Sequence, residues 1–172
     1  SAGTLGAGDY LKDRHNARIV AVEALEVPTM LYNGFGDHNI QGIGDKHVPL
    51  IHNVTNTDLI VGVSDKATDR LDVAFNSAAG LRALERQGVN SDLTSMLTNL
   101  GYSAICNALD AIKAAKHWGL GPDDVIVTVA TDGAELYNSE REKVIRRDYP
   151  NGFNDAEGEE VVAKYLVDTT TD

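Results

Sequence analysis

The sequence predicts an α/β fold, a three-layer α/β/α arrangement around a mostly parallel sheet. Three observations predict it. Short β-rich apolar runs alternate with helical patterns, which calls for parallel strands joined by helical crossovers. The 172 residues are 42% hydrophobic and 24% charged, a mixture that supports a core of ordinary size and excludes low-complexity classes. No tandem repeat and no linker-like Pro/Ser/Gly tract divides residues 1–172.

The elements follow in order. Residues 7–15 (AGDYLKDRH) read as a short helix after a glycine-rich turn, and 18–23 (RIVAVE) as a buried strand. Residues 28–48 carry Asn33, Gly34, Gly36, Asn39, Gly42 and Gly44. That much backbone freedom predicts a long functional loop. Residues 58–63 (DLIVGV) read as the second strand. Ser64-Asp65 then signals an N-cap, with helix following to about Ala78 and again to Arg86, stopping near Gly88. A short helix over 92–100 and a long one from Ser103 to about Trp118 come next. On the long helix Ile105, Leu109 and Ile112 recur at helical spacing, and Gly119 and Gly121-Pro122 end it. Residues 124–130 (DVIVTVA) read as the third and most apolar strand, closed by the turn Thr131-Asp132-Gly133. Helices over 135–147 and 155–167 complete the pattern. Three strands are few for this length, so an open sheet would have to obtain others from elsewhere.

Composition excludes several function classes. Fifteen Lys+Arg against 26 Asp+Glu give a net charge of −11, which argues against nucleic-acid and anionic-membrane partners. The one cysteine, Cys106, excludes a disulfide scaffold and a cysteine-based zinc site. It lies on an apolar helical face and reads as a buried inert thiol. No apolar run approaches the ~20 residues that span a bilayer. Ser1 to Gly8 do not read as a signal peptide, and a cytoplasmic location is the expectation.

Three segments are candidate binding elements. The opening Ser1-Ala2-Gly3-Thr4-Leu5-Gly6 reads either as an anion-binding turn ahead of a helix or as a plain helix cap. Gln41-Gly42-Ile43-Gly44 is either a backbone lying flat against a planar ligand or a tight turn. Thr131-Asp132-Gly133 stands at a strand's carboxyl end, where open α/β sheets bind ligands, and it equally suits a helix N-cap. His38, His47 and His52, with Asp37 and Asp45, are possible metal ligands, but their spacing matches no metal motif, and no metal is expected. His15 and His117 read as surface residues.

The order of these pieces is more specific than any one of them. A small-residue turn runs into GDYLK, and a strand ending in AVE follows. Then come GFGDHNIQGIGDKHVP, a strand with VSDKATD, the GYSAICNALDAIKAAK helix, and VIVTVATDGAELY. This resembles the second half of the cysteine synthase family, pyridoxal-phosphate enzymes of the tryptophan-synthase β-subunit superfamily (fold type II). That family shows a GTGGT-type phosphate loop, a strand ending in VEP, H-x-I-Q-G-I-G-x-G-F-x-P, V-S-D-E, G-I-S-S-G-A and P-D-S-G-E-R-Y in the same order. The resemblance reaches to about Tyr137.

The resemblance implies that the chain is part of the large cofactor-binding domain and that the cofactor is pyridoxal 5'-phosphate. Ser1, Ala2, Gly3 and Thr4 would end the phosphate loop. Gly42, Ile43 and Gly44 would form the wall beside the ring. Thr131, Asp132 and Gly133 would face the pyridine nitrogen. Gly133 stands where the family has serine, so Thr131 or Asp132 would serve instead. Gly-Tyr-Ser-Ala-Ile at 101–105 and Asp45-Lys46-His47 also depart from the family pattern. The implied activity is β-elimination or β-replacement on a small amino acid, in a homodimer. The family's Schiff-base lysine precedes the phosphate loop, and Lys12 follows it, so Lys12 does not match. A missing N-terminal half or companion chain is the expected source of that lysine. The alternative is a non-catalytic α/β binding or regulatory module that has lost it.

Overall fold

The structure is a computed structural model and describes residues 2–44 and 46–168. Its sheet consists of β1 (Val20–Ala24) and β2 (Leu59–Val63), paired in parallel with Val20 opposite Leu59 and Ala24 opposite Val63. Around it stand α1 (Ala2–His15), α2 (Asp65–Phe75), α3 (Ala78–Arg86), α4 (Ser91–Met96), α5 (Tyr102–Trp118), α6 (Asn138–Asp148) and α7 (Asp155–Val162). This is the α/β class that the alternating pattern predicts.

Local chemistry explains most of the boundaries. Ser64 caps α2, its hydroxyl accepting from the Ala67 amide at 3.2 Å. Gly119 closes α5 in the left-handed region at φ 62°, where a residue without Cβ is unstrained. Asn154 and Glu157 form a reciprocal capping box on α7, which ends in a π turn over Ala163–Val167.

The core lies where α5 packs on the sheet and on α2. Tyr102, Ile105, Cys106 and Leu109 of α5 are buried with Leu71, Ala74 and Phe75 of α2 and Val61 and Val63 of β2. Each fully buried leucine or isoleucine there contributes roughly 1.5–3 kcal/mol. Cys106 is a buried free thiol, as its apolar surroundings imply. One buried ion pair joins the helices: Arg141 of α6 grips fully buried Asp72 of α2 through Nε at 2.8 Å and Nη2 at 3.0 Å.

Two sequence expectations are corrected. The expected glycine-rich turn at residues 1–6 is helical from Ala2 onward, while Ser1 lies outside the described residues. Glycine costs a helix only about 1 kcal/mol per residue, and the end of α1 is held from outside. Lys12 Nζ pairs with Asp58 at 2.7 Å and bonds the Asn56 carbonyl at 2.7 Å. The third strand is not one. Residues 124–130 have no ladder partner among the described residues, and Val125 and Val127 are 84% and 79% exposed. Valine-rich runs suit a pleated surface only when a neighbouring strand is there to form it.

Several buried polar atoms among the described residues lack a partner, and Asp110 holds one of them. Asp110, on α5, has an enclosed Oδ1 with no hydrogen-bond partner. Burial pushes its carboxyl from the ordinary 3.8 up to about 7, against the pull of Lys113. Between these values the folded chain keeps a proton that the unfolded chain releases. The contribution of Asp110 is therefore full below about pH 4 and is lost as pH rises to about 7. Asp110→Asn is expected to flatten that decline and to raise stability at pH 8 by about 2 kcal/mol, read from denaturant midpoints at pH 5 and pH 8.

Candidate functional site

The head of α5 gathers the candidate segments. Its N-cap, Gly101, is buried, and its amide donates to the Asp132 carbonyl at 2.9 Å. A Cβ on Gly101 would lie 2.5 Å from Asp132 Oδ1 and 2.7 Å from the Tyr137 ring. Only glycine permits this approach, since the φ of −81° is ordinary for any residue. Next along the helix, the Tyr102 ring stacks on Tyr137 with centroids 4.6 Å apart and planes 7° from parallel. Then comes Ser103, buried, with its hydroxyl 3.3 Å from Thr131 Oγ1. One turn on, Asn107 Nδ2 donates to the Val129 carbonyl at 2.8 Å. Successive turns of α5 thus hold the segment 129–132.

The carboxylate of Asp132 is already engaged. Tyr137 OH donates to Oδ2 at 2.5 Å, and Thr131 Oγ1 donates to Oδ1 at a longer 3.3 Å. Burial, and this bond to a carboxylate, push the Tyr137 phenol up to about 12. Tyr102 OH is buried without a partner, and burial raises it further above the ordinary tyrosine range. Arg141 Nη2 also reaches the Ala134 carbonyl at 3.0 Å and so fixes the turn that follows Gly133. Gly133 itself caps the 3₁₀ turn Ala134–Tyr137, where a Cβ would collide with the Glu135 carboxylate.

The long loop arrives from the other side. Glu23, at the end of β1, accepts from the Met30 and Leu31 amides at 2.9 and 2.7 Å. Asn39 donates its backbone amide to Asp65 at 2.7 Å and its side-chain amide to Asp69 at 2.9 Å. Ile40, fully buried, plugs the loop into the core. Gly42 and Gly44 follow with φ of 88° and 67°, both in the region that favours glycine. A Cβ on Gly42 would lie 3.5 Å from the Cβ and Oγ of Ser103.

The structure therefore brings Gly42, Thr131 and Asp132 to one place, with Ile43 beside them on the loop, and joins them through Ser103. Sequence reasoning did not single out Ser103. Its signal was a polar stripe at 103, 107 and 110 along a helix whose other faces are apolar. Ala2, Gly3 and Thr4 form the first turn of α1, and none of the contacts just described runs through them. The histidines do not converge. His52 pairs with Thr57 at 2.9 Å, and among the described residues, which exclude Asp45, no three His, Cys, Asp or Glu could hold a metal. A depression of about 550 Å³ between α2 and α6 lies elsewhere, and the charges of Asp69, Arg70, Arg147 and Asp148 that line it are paired with one another.

No family profile matches the sequence. A curated relative does: cysteine synthase B of Campylobacter jejuni is 32% identical over 141 residues, covering 81% of this chain and 40% of that protein. Two solved structures match with a TM-score of 0.60 each. One is a mutant hydrogen sulfide-producing enzyme complexed with an alpha-aminoacrylate intermediate, 26% identical, covering 80% of this chain and 36% of that one. The other is the hydrogen sulfide-producing enzyme of Fusobacterium nucleatum, 23% identical, covering 91% and 40%, and it supports the fold alone. The chain has the α/β fold of the fold type II pyridoxal-phosphate-dependent enzymes. Within that class it resembles the cysteine synthase-like enzymes, whose cofactor is pyridoxal 5'-phosphate. It spans about 40% of the length of the curated relative.

The residues present suit that cofactor. Two glycines without side chains offer bare backbone to a planar ring, and an exposed threonine hydroxyl, backed by a buried serine, offers a neutral partner for a ring nitrogen. The close approach at Gly101 holds this arrangement together. Gly101→Ala is expected to cost about 2 kcal/mol by crowding Asp132 and Tyr137. Gly121→Ala, whose nearest neighbour is Asp124 Oδ2 at 4.0 Å, should stay within about 0.5 kcal/mol. Denaturant midpoints of the two variants make the comparison, and equal losses would contradict the crowding.

Proposed function

We propose that this chain is the cofactor-holding segment of a pyridoxal-phosphate-dependent enzyme that carries out β-elimination or β-replacement on a small amino acid. The observation that carries the reading is the meeting of the Gly42–Gly44 loop, Ser103 and Thr131 at the head of α5. When bound, the cofactor supplies an electron-withdrawing ring that acidifies the substrate Cα–H. Gly42, Ile43 and Gly44 form the wall beside that ring. Thr131 offers its hydroxyl to the ring nitrogen, and Asp132, with Gly133, shapes the turn that presents it. Ser1, Ala2, Gly3 and Thr4 hold the phosphate, the last three at a helix start, where backbone N–H groups favour an anion.

The partner of the ring nitrogen bears on the reaction class. A carboxylate would keep the nitrogen protonated and make the ring a deeper electron sink. The Asp132 carboxylate is occupied by Tyr137 and Thr131, which leaves a neutral hydroxyl. A hydroxyl suits departure of a β-substituent better than chemistry that needs a longer-lived carbanion.

The lysine that carries the cofactor and removes the Cα proton comes from a further polypeptide segment. Lys12 is engaged by Asp58 and the Asn56 carbonyl, which supports assigning that role elsewhere. The exposed run Val125, Ile126, Val127 and Val129 supports the same reading, because it is an apolar stretch with no ladder partner among the described residues. That segment pairs with 124–130 and extends the sheet, and two such units form a homodimer. No helix among the described residues is long and apolar enough to cross a membrane.

Combining the chain with the lysine-bearing segment and pyridoxal phosphate is expected to give a folded complex with a cofactor band near the visible edge. Val127→Asp should weaken the assembly at least tenfold and leave the melting of the chain alone unchanged. A folded complex without the band would make the chain a non-catalytic binding or regulatory module instead.

A further inference from the structure

Ser103 sits within the site but has been given no role by the order of motifs. Its side chain is buried, so its hydroxyl needs a partner, and the partner it has is Thr131 Oγ1 at 3.3 Å. Gly42 faces it, and a Cβ there would stand in ordinary van der Waals contact at 3.5 Å. Thr131 in turn is exposed and has one proton to donate. In this structure that proton is directed to Asp132 Oδ1 across 3.3 Å, the long end of hydroxyl hydrogen bonds. Asp132 does not depend on it, because Tyr137 OH supplies the shorter bond at 2.5 Å.

We infer that Ser103 is a positioning residue for the ring nitrogen's partner. Its hydroxyl donates to Thr131 and holds that side chain in the orientation from which its proton passes from Asp132 to an unprotonated ring nitrogen. Donation from Ser103 also polarises the Thr131 hydroxyl and makes it a better donor. The inference rests on the cofactor assignment proposed above and adds a residue and a direction of hydrogen bonding to it.

The test uses the complete lysine-containing enzyme and titrates it with pyridoxal phosphate, following the visible band and the apparent Kd. Thr131→Val is expected to weaken binding about fivefold and to shift the band, one neutral hydrogen bond being worth about that much. Ser103→Ala should shift the band in the same direction and weaken binding about threefold, with an unchanged melting temperature for the cofactor-free protein. Ser103→Thr, which keeps the hydroxyl, should restore both. Adding Ser103→Ala to Thr131→Val should cost nothing further, because the relay is already broken. A wild-type band and Kd in Ser103→Ala, or additive losses in the double variant, would overturn the relay while leaving the cofactor site intact. No band in the wild-type enzyme would instead overturn the functional reading beneath it.

Discussion

The site depends on one close approach. At Gly101 the backbone of a helix start, the carbonyl of Asp132 and the ring of Tyr137 occupy space that a single Cβ would deny them. The amide–carbonyl bond at 2.9 Å ties the two segments, and the stacked Tyr102 and Tyr137 rings cover it. The polar contacts of residues 131–132 cluster beside that approach. Asp132 is held so that its carboxylate meets Tyr137, Thr131 is held beside Ser103, and Asn107 takes up the slack one turn later. A dipeptide's worth of backbone, 131–132, is thereby placed by helix α5 rather than by a sheet, since the run before it has no strand alongside among the described residues.

The loop that forms the opposite wall is positioned by charge rather than by packing alone. Glu23 and Asn39 pin it at two places, each through backbone amides that a free loop would leave to water. Ile40 anchors it between those pins and the two glycines. Such an arrangement confines the conformational freedom of residues 28–48 to short stretches and leaves Gly42 and Gly44 free to adopt positive φ. The buried Asp72–Arg141 pair does the same for the other wall, because Arg141 bonds both the core carboxylate and the turn at Ala134. Losing either partner would strand a charge in the core, which is why such pairs specify geometry more than they add stability.

The sequence was most legible where one residue type has one job. Ser64 as a cap and Gly119 as a left-handed helix end could be read directly. So could the two parallel strands and the helix over 103–118, because periodicity survives any surroundings. Misreadings arose where the deciding neighbour lies far away in sequence. Glycines at 3 and 6 pointed to a turn, but contacts from Asp58 and Asn56 hold the helix they sit in. Residues 124–130 have every local mark of a strand, and strand formation is a property of two segments. Ser103 was overlooked because a serine near a helix start has an ordinary explanation, and only the position of Thr131 in space removes it.

The electrostatics of the site argue for one kind of chemistry over another. The head of α5 brings hydroxyls and bare backbone together, although the chain as a whole carries a net charge of −11. The carboxylate of Asp132 is turned inward and bonded to a phenol whose own ionisation burial and that bond have pushed up to about 12. Tyr137 therefore stays protonated at any physiological pH and keeps the carboxylate occupied. Freeing Asp132 to serve a ring nitrogen would break that bond and leave the phenol unsatisfied beside Tyr102, whose hydroxyl already lacks a partner. The packing thus keeps the Asp132 carboxylate engaged. With the cofactor held here, a neutral partner would leave less negative charge on the ring, which suits the β-elimination or β-replacement proposed above better than chemistry that needs a longer-lived carbanion.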